Sequence, residues 1–161
     1  MPAAIGGIQP IDGATSRAAA AGPINTATPR IAPTAGRISG TLLVQLADLI
    51  EEYGVAGARL TPYQKIVLIG VDPSVVDDLI VRLDEIGLSA RPSNWRRNTM
   101  ACTGIEFCKL AIVETKAFAT GAVAQLEERL GALEPEIGRP ITIHVNGCPN
   151  SCARIQAADI G

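Results

Sequence analysis

The chain has 161 residues, of which 47% are apolar, 3% aromatic and 19% charged, with a formal net charge of −2. That size allows one domain or two small ones, with a core built from Leu, Ile, Val and Ala rather than from rings. No basic excess argues for nucleic acid, no acidic run for a charged tail, no apolar stretch approaches the ~18–20 residues of a membrane span, and no basic-then-apolar start argues for a secretory signal.

An Ala-rich, acid-poor start with Arg17 and Arg30 is a weak match to an organelle transit peptide. The expected setting is therefore the reducing cytoplasm, with neither nucleic acid nor membrane as partner. Residues 1–30 are rich in Ala, Gly, Pro and Thr and show no hydrophobic period. Such a segment buries too little apolar surface to offset its ordering entropy, and it reads as low-complexity and disordered.

Residues 31–91 are patterned. Ser39 is placed to cap a helix over about 41–53, with Leu42, Leu46, Leu49 and Tyr53 on one face. Gly54 and Gly57 mark a turn, a short strand follows at 58–61, Pro62 interrupts it, and residues 66–69 read as a buried strand. Asp72-Pro73 opens a second helix running to about Ile86, with Val76, Leu79, Leu83 and Ile86 inward, and Gly87 stops it. With short strands near residues 30–34 and 88–90, the order is that of a ferredoxin-like β-α-β-β-α-β unit.

Residues 92–161 hold every cysteine. A helix is expected from after Gly104 to about Phe118, and another over 122–133, closed by Pro135 and Gly138. A strand over 141–145 runs directly into the Gly147-Cys148-Pro149 turn.

Cys102 and Cys108 form a C-x5-C arm, and after 39 residues Cys148 and Cys152 form a C-x3-C arm. Four readings apply: buried structural thiols, a pair of disulfides, a zinc site with four thiolates, and an iron–sulfur cluster. A reducing compartment disfavours disulfides. A C-x5-C arm is loose for a zinc knuckle, whereas a larger cluster takes more widely spread thiolates. The loops Cys102-Thr103-Gly104 and Asn146-Gly147-Cys148-Pro149-Asn150 suit a charged cluster, because their backbone amides can aim at sulfur. Both loops are expected to open helices, whose positive N-termini would add to the effect. Lys109, Lys116 and Arg154 either temper the cluster's charge or are ordinary solvated residues. His144 reads as a packed or capped histidine and Trp95 as a packing residue.

The residues between the cysteines carry a family resemblance. Residues 101–110 (ACTGIEFCKL), followed by Glu114-Thr115-Lys116, resemble the first signature of the siroheme nitrite/sulfite reductases. Residues 144–153 (HVNGCPNSCA) resemble the second, and residues 154–161 continue the match. Within that family the chain is most similar to the bacterial ferredoxin-dependent sulfite reductases. Upstream, residues 32–40 (APTAGRISG) and 60–65 (LTPYQK) are similar to the family's second ferredoxin-like half-domain.

The resemblance implies an α+β fold: a ferredoxin-like half-domain over 31–91 followed by part of an α/β [4Fe-4S]–siroheme domain over 92–161. It implies that Cys102, Cys108, Cys148 and Cys152 ligate a [4Fe-4S] cluster, and that Cys152 is also the axial ligand of the siroheme iron. Thr103 and Asn150 join Cys152 as implied cofactor contacts. The implied activity is an oxidoreductase passing electrons, with ferredoxin as the donor, to a small anionic substrate: sulfite reduced to sulfide. The alternatives are nitrite reduced to ammonia, or a stand-alone cluster-binding electron-transfer module. A cobalamin-pathway relative, precorrin-3B synthase, fits the GCPNSCA loop less well.

Family members are built from two repeats, and the chain resembles part of the second. The cations around the distal face of the cofactor come largely from the first repeat, so the chain reads as a fragment with little turnover of its own. Arg96, Arg97 and Lys65 are candidates for cofactor contact. Tyr63 stands where some relatives have Arg in a T-x-R-Q motif. No catalytic acid is identified.

Overall fold

The computed structural model describes residues 28–161; most of the low-complexity segment expected at 1–30 therefore lies outside the described residues. Strand β1 (Arg30–Ile31) leads to helix α1 (Gly40–Glu52), strands β2 (Gly57–Leu60) and β3 (Ile66–Ile69), and helix α2 (Val76–Glu85). Ser39 caps α1, its hydroxyl accepting the Leu42 N–H at 3.1 Å, which satisfies one of the free amides at a helix start. The three strands form an antiparallel sheet in the order β1-β3-β2.

Leu46 and Leu49 of α1 and Val76, Leu79, Ile80 and Leu83 of α2 are buried against Ile66 and Leu68 of β3, while Leu42, Tyr53 and Ile86 are partly covered at the margin. The helical period in the sequence thus corresponds to the packed faces. Past α2, Gly87 takes φ +80°, and the Leu88 N–H reaches back to the Leu83 carbonyl at 2.8 Å, so the helix closes in the glycine-dependent way.

The fourth strand expected at 88–90 is reduced to one hydrogen bond, from the Ala32 N–H to the Ser89 carbonyl at 3.3 Å. Pro33 and Pro92 flank this contact on either chain segment and have no N–H to extend a ladder. The Arg91 amide is drawn instead to the Ser89 hydroxyl at 3.2 Å.

The second part comprises helix α3 (Asn94–Asn98), strand β4 (Thr99–Ala101), helix α4 (Lys116–Leu130) and strand β5 (Ile143–Val145). Strands β4 and β5 pair in parallel, with Thr99 opposite Ile143 and Ala101 opposite Val145, and Ile160 adds a parallel bridge on the far side of β5. Ala35, from a tight turn at Thr34–Gly36, packs with Ala101 of β4 and Ala119 of α4. Three alanines let these backbones approach closely, which fastens the segment before α1 onto the cysteine-bearing part.

Two expectations fail here. No helix starts after Gly104; α4 begins at Lys116 and is continuous to Leu130. Gly104 has φ +76°, and the following amides are used elsewhere: Ile105 N–H on the Val113 carbonyl at 3.2 Å and Ile112 N–H on the Gly147 carbonyl at 2.9 Å. The start of α4 is set by Glu114, whose carboxylate accepts the Ala117 N–H at 2.9 Å. The second cysteine loop also opens no α-helix; Ser151 and Arg154 sit at φ 57° and 56°, left-handed values that a helix cannot include, and only a short 3-10 turn, Ile155–Ala157, follows.

Candidate metal centre

Cys102 follows directly on β4, and the Asn146–Cys152 loop follows directly on β5. Because the two strands are parallel, both loops leave from the same end of the pair. Antiparallel pairing would have separated the exits by the strand length, roughly 10 Å for three residues. The Cys102 N–H still donates to the Val145 carbonyl at 2.9 Å, so the ladder continues to the first cysteine itself.

Each loop is fixed by its own hydrogen bonds. In the first, Cys108 N–H donates to the Gly104 carbonyl at 3.0 Å. A Cβ on Gly104 would stand 2.6 Å from Thr115 Oγ1, so the left-handed turn and the close approach both require glycine. Thr115 is completely buried; its hydroxyl donates to the Cys102 carbonyl at 2.8 Å and lies 3.7 Å from Cys102 Sγ. In the second loop, Asn146 spans the C-x3-C arc: its Oδ1 accepts the Ala153 N–H at 2.8 Å, and its Nδ2 donates to the Cys148 carbonyl at 3.3 Å. The two loops meet where the Gly147 N–H donates to Cys102 Sγ at 3.2 Å. The polar contact to the Cys102 sulfur therefore comes from a loop amide, not from a helix terminus.

Cys102, Cys108, Cys148 and Cys152 line one hollow of about 400 Å³, together with Thr103, Asn146, Asn150 and Lys109. All four are free thiols; three are half-buried and Cys152 is exposed. Among the described residues no three of His, Cys, Asp and Glu converge on the position of a single ion. Four sulfurs spread around a hollow of this size can accommodate a polynuclear iron–sulfur cluster.

Other residues singled out in the sequence stand away from the hollow. Arg96 pairs with Glu127 of α4 at 2.8 Å, and Arg97 is exposed. Lys65 donates to the Thr99 carbonyl at 3.3 Å; burial, and then the charge of Lys116, lower its pKa to about 8. Lys116 donates to the carbonyls of Ala35 and Ala101, and burial lowers its pKa against the opposing influence of Cys102. Arg154 turns from the cysteines to the half-domain: its guanidinium donates to the Pro62 carbonyl at 3.1 Å and lies 4.7 Å from the centre of the Tyr63 ring. His144 is buried, and its Nδ1 is 2.9 Å from the Arg154 carbonyl; a carbonyl only accepts, so Nδ1 carries the proton. Trp95 is buried beside α4 as a packing residue.

Three contributors are not evident from sequence alone. Thr115 is visible there only as a letter in a motif. Asn146 offers a signal, since Asn before a Gly-Cys turn often bonds nearby backbone. Gln64 shows there only as the last position of the T-x-R-Q pattern; its part depends on a strand 37 residues away.

Comparison with known proteins points to one family. Residues 25–86 match the family model described as the nitrite/sulfite reductase ferredoxin-like half domain. The chain is 55% identical over 131 residues to a sulfite reductase (ferredoxin) of Mycolicibacterium paratuberculosis, covering 81% of this chain and 24% of that protein. It is 43% identical over 128 residues to the chloroplastic ferredoxin–nitrite reductase of Zea mays, covering 78% of this chain and 22% of that protein. Among solved structures, the Mycobacterium tuberculosis NirA protein superposes with a TM-score of 0.80 at 53% identity, over 83% of this chain and 24% of that one. A dissimilatory sulfite reductase I shares the fold, with a TM-score of 0.62 at 22% identity over 82% of this chain and 31% of that one. The chain spans about a quarter of the length of its curated relatives, and with its half-domain and two cysteine loops it belongs to the nitrite and sulfite reductase family.

Proposed function

We propose that this chain is the cluster-holding part of a ferredoxin-dependent sulfite reductase, reducing sulfite to sulfide. The observation that carries the reading is the convergence of Cys102, Cys108, Cys148 and Cys152, from two loops, on one hollow of about 400 Å³. In this reading the four cysteines would hold a [4Fe-4S] cluster, and Cys152, the most exposed of them, would be the one open to a siroheme beside it. Bound there, the two cofactors supply the electron transfer and bond breaking of a six-electron reduction.

The chain's own residues hold and shield. The Gly147 N–H supports the charge on Cys102, a role that favours the thiolate over the thiol. Thr115 and Asn146 fix the two loops, so the sulfurs keep their spacing when charge on the cluster changes. Thr103 and Asn150, exposed on the rim of the hollow, would contact the cofactor. Four free thiols suit a reducing compartment, which supports a cytoplasmic setting. No helix among the described residues is long and apolar enough to cross a membrane.

Sulfite is preferred over nitrite as substrate because identity is 55% to the sulfite reductase and 43% to the maize nitrite reductase. Anaerobic reconstitution with iron, sulfide and siroheme tests the reading. Sharp tetrapyrrole absorption bands are expected, with iron in excess of sulfide by the one iron of the tetrapyrrole and otherwise matched to it. Uptake of zinc without sulfide would overturn it, and a brown protein without tetrapyrrole bands would reduce it to an electron-transfer module.

A further inference from the structure

Among the described residues, strand β4 has a neighbouring strand on one side only. The Cys102 N–H faces β5, so the backbone groups of Thr99 and Ala101, in the alternate positions of the strand, face the opposite edge. Unpaired backbone groups at a part-buried edge need partners. They find them in side chains. The Gln64 amide donates to the Ala101 carbonyl at 2.6 Å and accepts the Ala101 N–H at 3.1 Å, the pair of bonds a further strand would make. Lys65 reaches the Thr99 carbonyl at 3.3 Å.

Gln64 is held in a left-handed conformation, φ 58°, which a non-glycine residue adopts at a cost. Its turn is closed around it: Gln64 N–H donates to the Thr61 carbonyl at 3.1 Å, and the Thr61 N–H to the Lys65 carbonyl at 2.9 Å. A Cβ at Gly36 would stand 2.6 Å from Gln64 Cβ, so the opposing segment also yields space. The same turn meets the other cysteine loop, where Arg154, two residues past Cys152, rests on Pro62 and Tyr63. One short turn of the half-domain therefore grips the chain immediately before the first cysteine and just after the last.

We propose that the turn over residues 61–65 sets the positions of the two outermost cysteines, and that Gln64 is its principal positioning residue, acting on Cys102 through the backbone of Ala101. This rests on the cluster reading for its purpose but not for its test. The strained backbone at Gln64 goes with a carboxamide that completes the edge of β4.

The test uses the full chain in two states. Without metal, the alkylation rate of each cysteine by iodoacetamide is followed by peptide mass spectrometry. Gln64→Leu is expected to speed modification of Cys102 several-fold while Cys108 keeps its wild-type rate. Gln64→Glu, which retains the acceptor for the Ala101 N–H, is expected to lie between. After reconstitution, Gln64→Leu is expected to weaken iron retention against a chelator about 10–100-fold, the usual effect of losing a residue that orients a ligand. Leu83→Ala, a core change in the same half-domain, serves as a reference for general loss of stability. An unchanged ratio of Cys102 to Cys108 alkylation in Gln64→Leu would overturn the proposal, as would iron loss no faster than in Leu83→Ala at matched melting temperature. Should Gln64→Leu not fold, the Cys102 rate in Gln64→Glu decides. If the wild-type chain takes up no cluster, the functional reading fails while the alkylation experiment still decides the role of Gln64.

Discussion

Thr115 carries no charge and touches no solvent, yet the first cysteine loop closes on its hydroxyl. Thr115→Val keeps the shape and removes the donor, leaving the Cys102 carbonyl short of a partner. The expected cost is about 1–3 kcal/mol in urea unfolding. Gly104→Ala is expected to cost more than the ~1–2 kcal/mol of a left-handed alanine, since the new Cβ also meets Thr115 at 2.6 Å. Asp159 lies at the other end of the same part. Its carboxylate accepts the Thr142 N–H at 2.8 Å, the Thr142 hydroxyl at 2.7 Å and Arg139 at 2.7 Å, which holds its pKa well below the usual 3.8. A depressed carboxylate stabilises the fold above its unfolded pKa, and the contribution is lost as pH falls toward the folded value. The stability gap between wild type and Asp159→Asn should therefore be widest near neutrality and shrink below about pH 4, as urea midpoints across that range would show. Lys65 has the opposite sign. Its folded pKa, about 8, lies under the ordinary 10.5, so the unfolded chain binds more protons between these values. Wild type should gain stability relative to Lys65→Met as pH rises through that window; a constant difference would show that Lys65 is not held in a desolvated place.

At the scale of elements, helix α2 anchors the half-domain through Leu79 and Leu83, both without solvent contact. Leu83→Ala should cost about 2–5 kcal/mol in chemical unfolding, the range for a fully buried leucine. These helices were legible because a 3.6-residue period of Leu and Val survives in one short stretch of sequence, and Ser39 and Gly87 mark its ends. Residues 66–69 were legible as an unbroken apolar run. The segment after Gly104 was not. Its apolar residues invite a helix, but the amides of Ile105 and Ile112 are taken by Val113 and by Gly147 of the other loop, and the latter partner lies 35 residues away. The site shows the same division. The cysteines, Thr103 and Asn150 were legible from local motifs, while Gln64 and Arg154 act across the boundary between the two parts, where spacing along the chain carries no information about distance.

For the molecule as a whole, the uncovered surface is uneven. Between Ile105 and Phe118 stand Phe107, Leu110 and Ile112, with 77%, 66% and 76% of their surface exposed. Large apolar side chains gathered on one loop beside the hollow form an exposed apolar patch. Phe107→Ser with Ile112→Ser is expected to lower the fluorescence of a bound hydrophobic dye without changing the circular dichroism of the chain. The parallel ladder between β4 and β5 has a wider consequence. Its register, Ala101 opposite Val145, brings the exits of both cysteine loops to one end of the strand pair by peptide hydrogen bonding. Many small metalloproteins remain unravelled until their ion arrives. A ladder of peptide bonds that already holds both loop exits leaves the backbone less to gain from a bound ion than in such proteins.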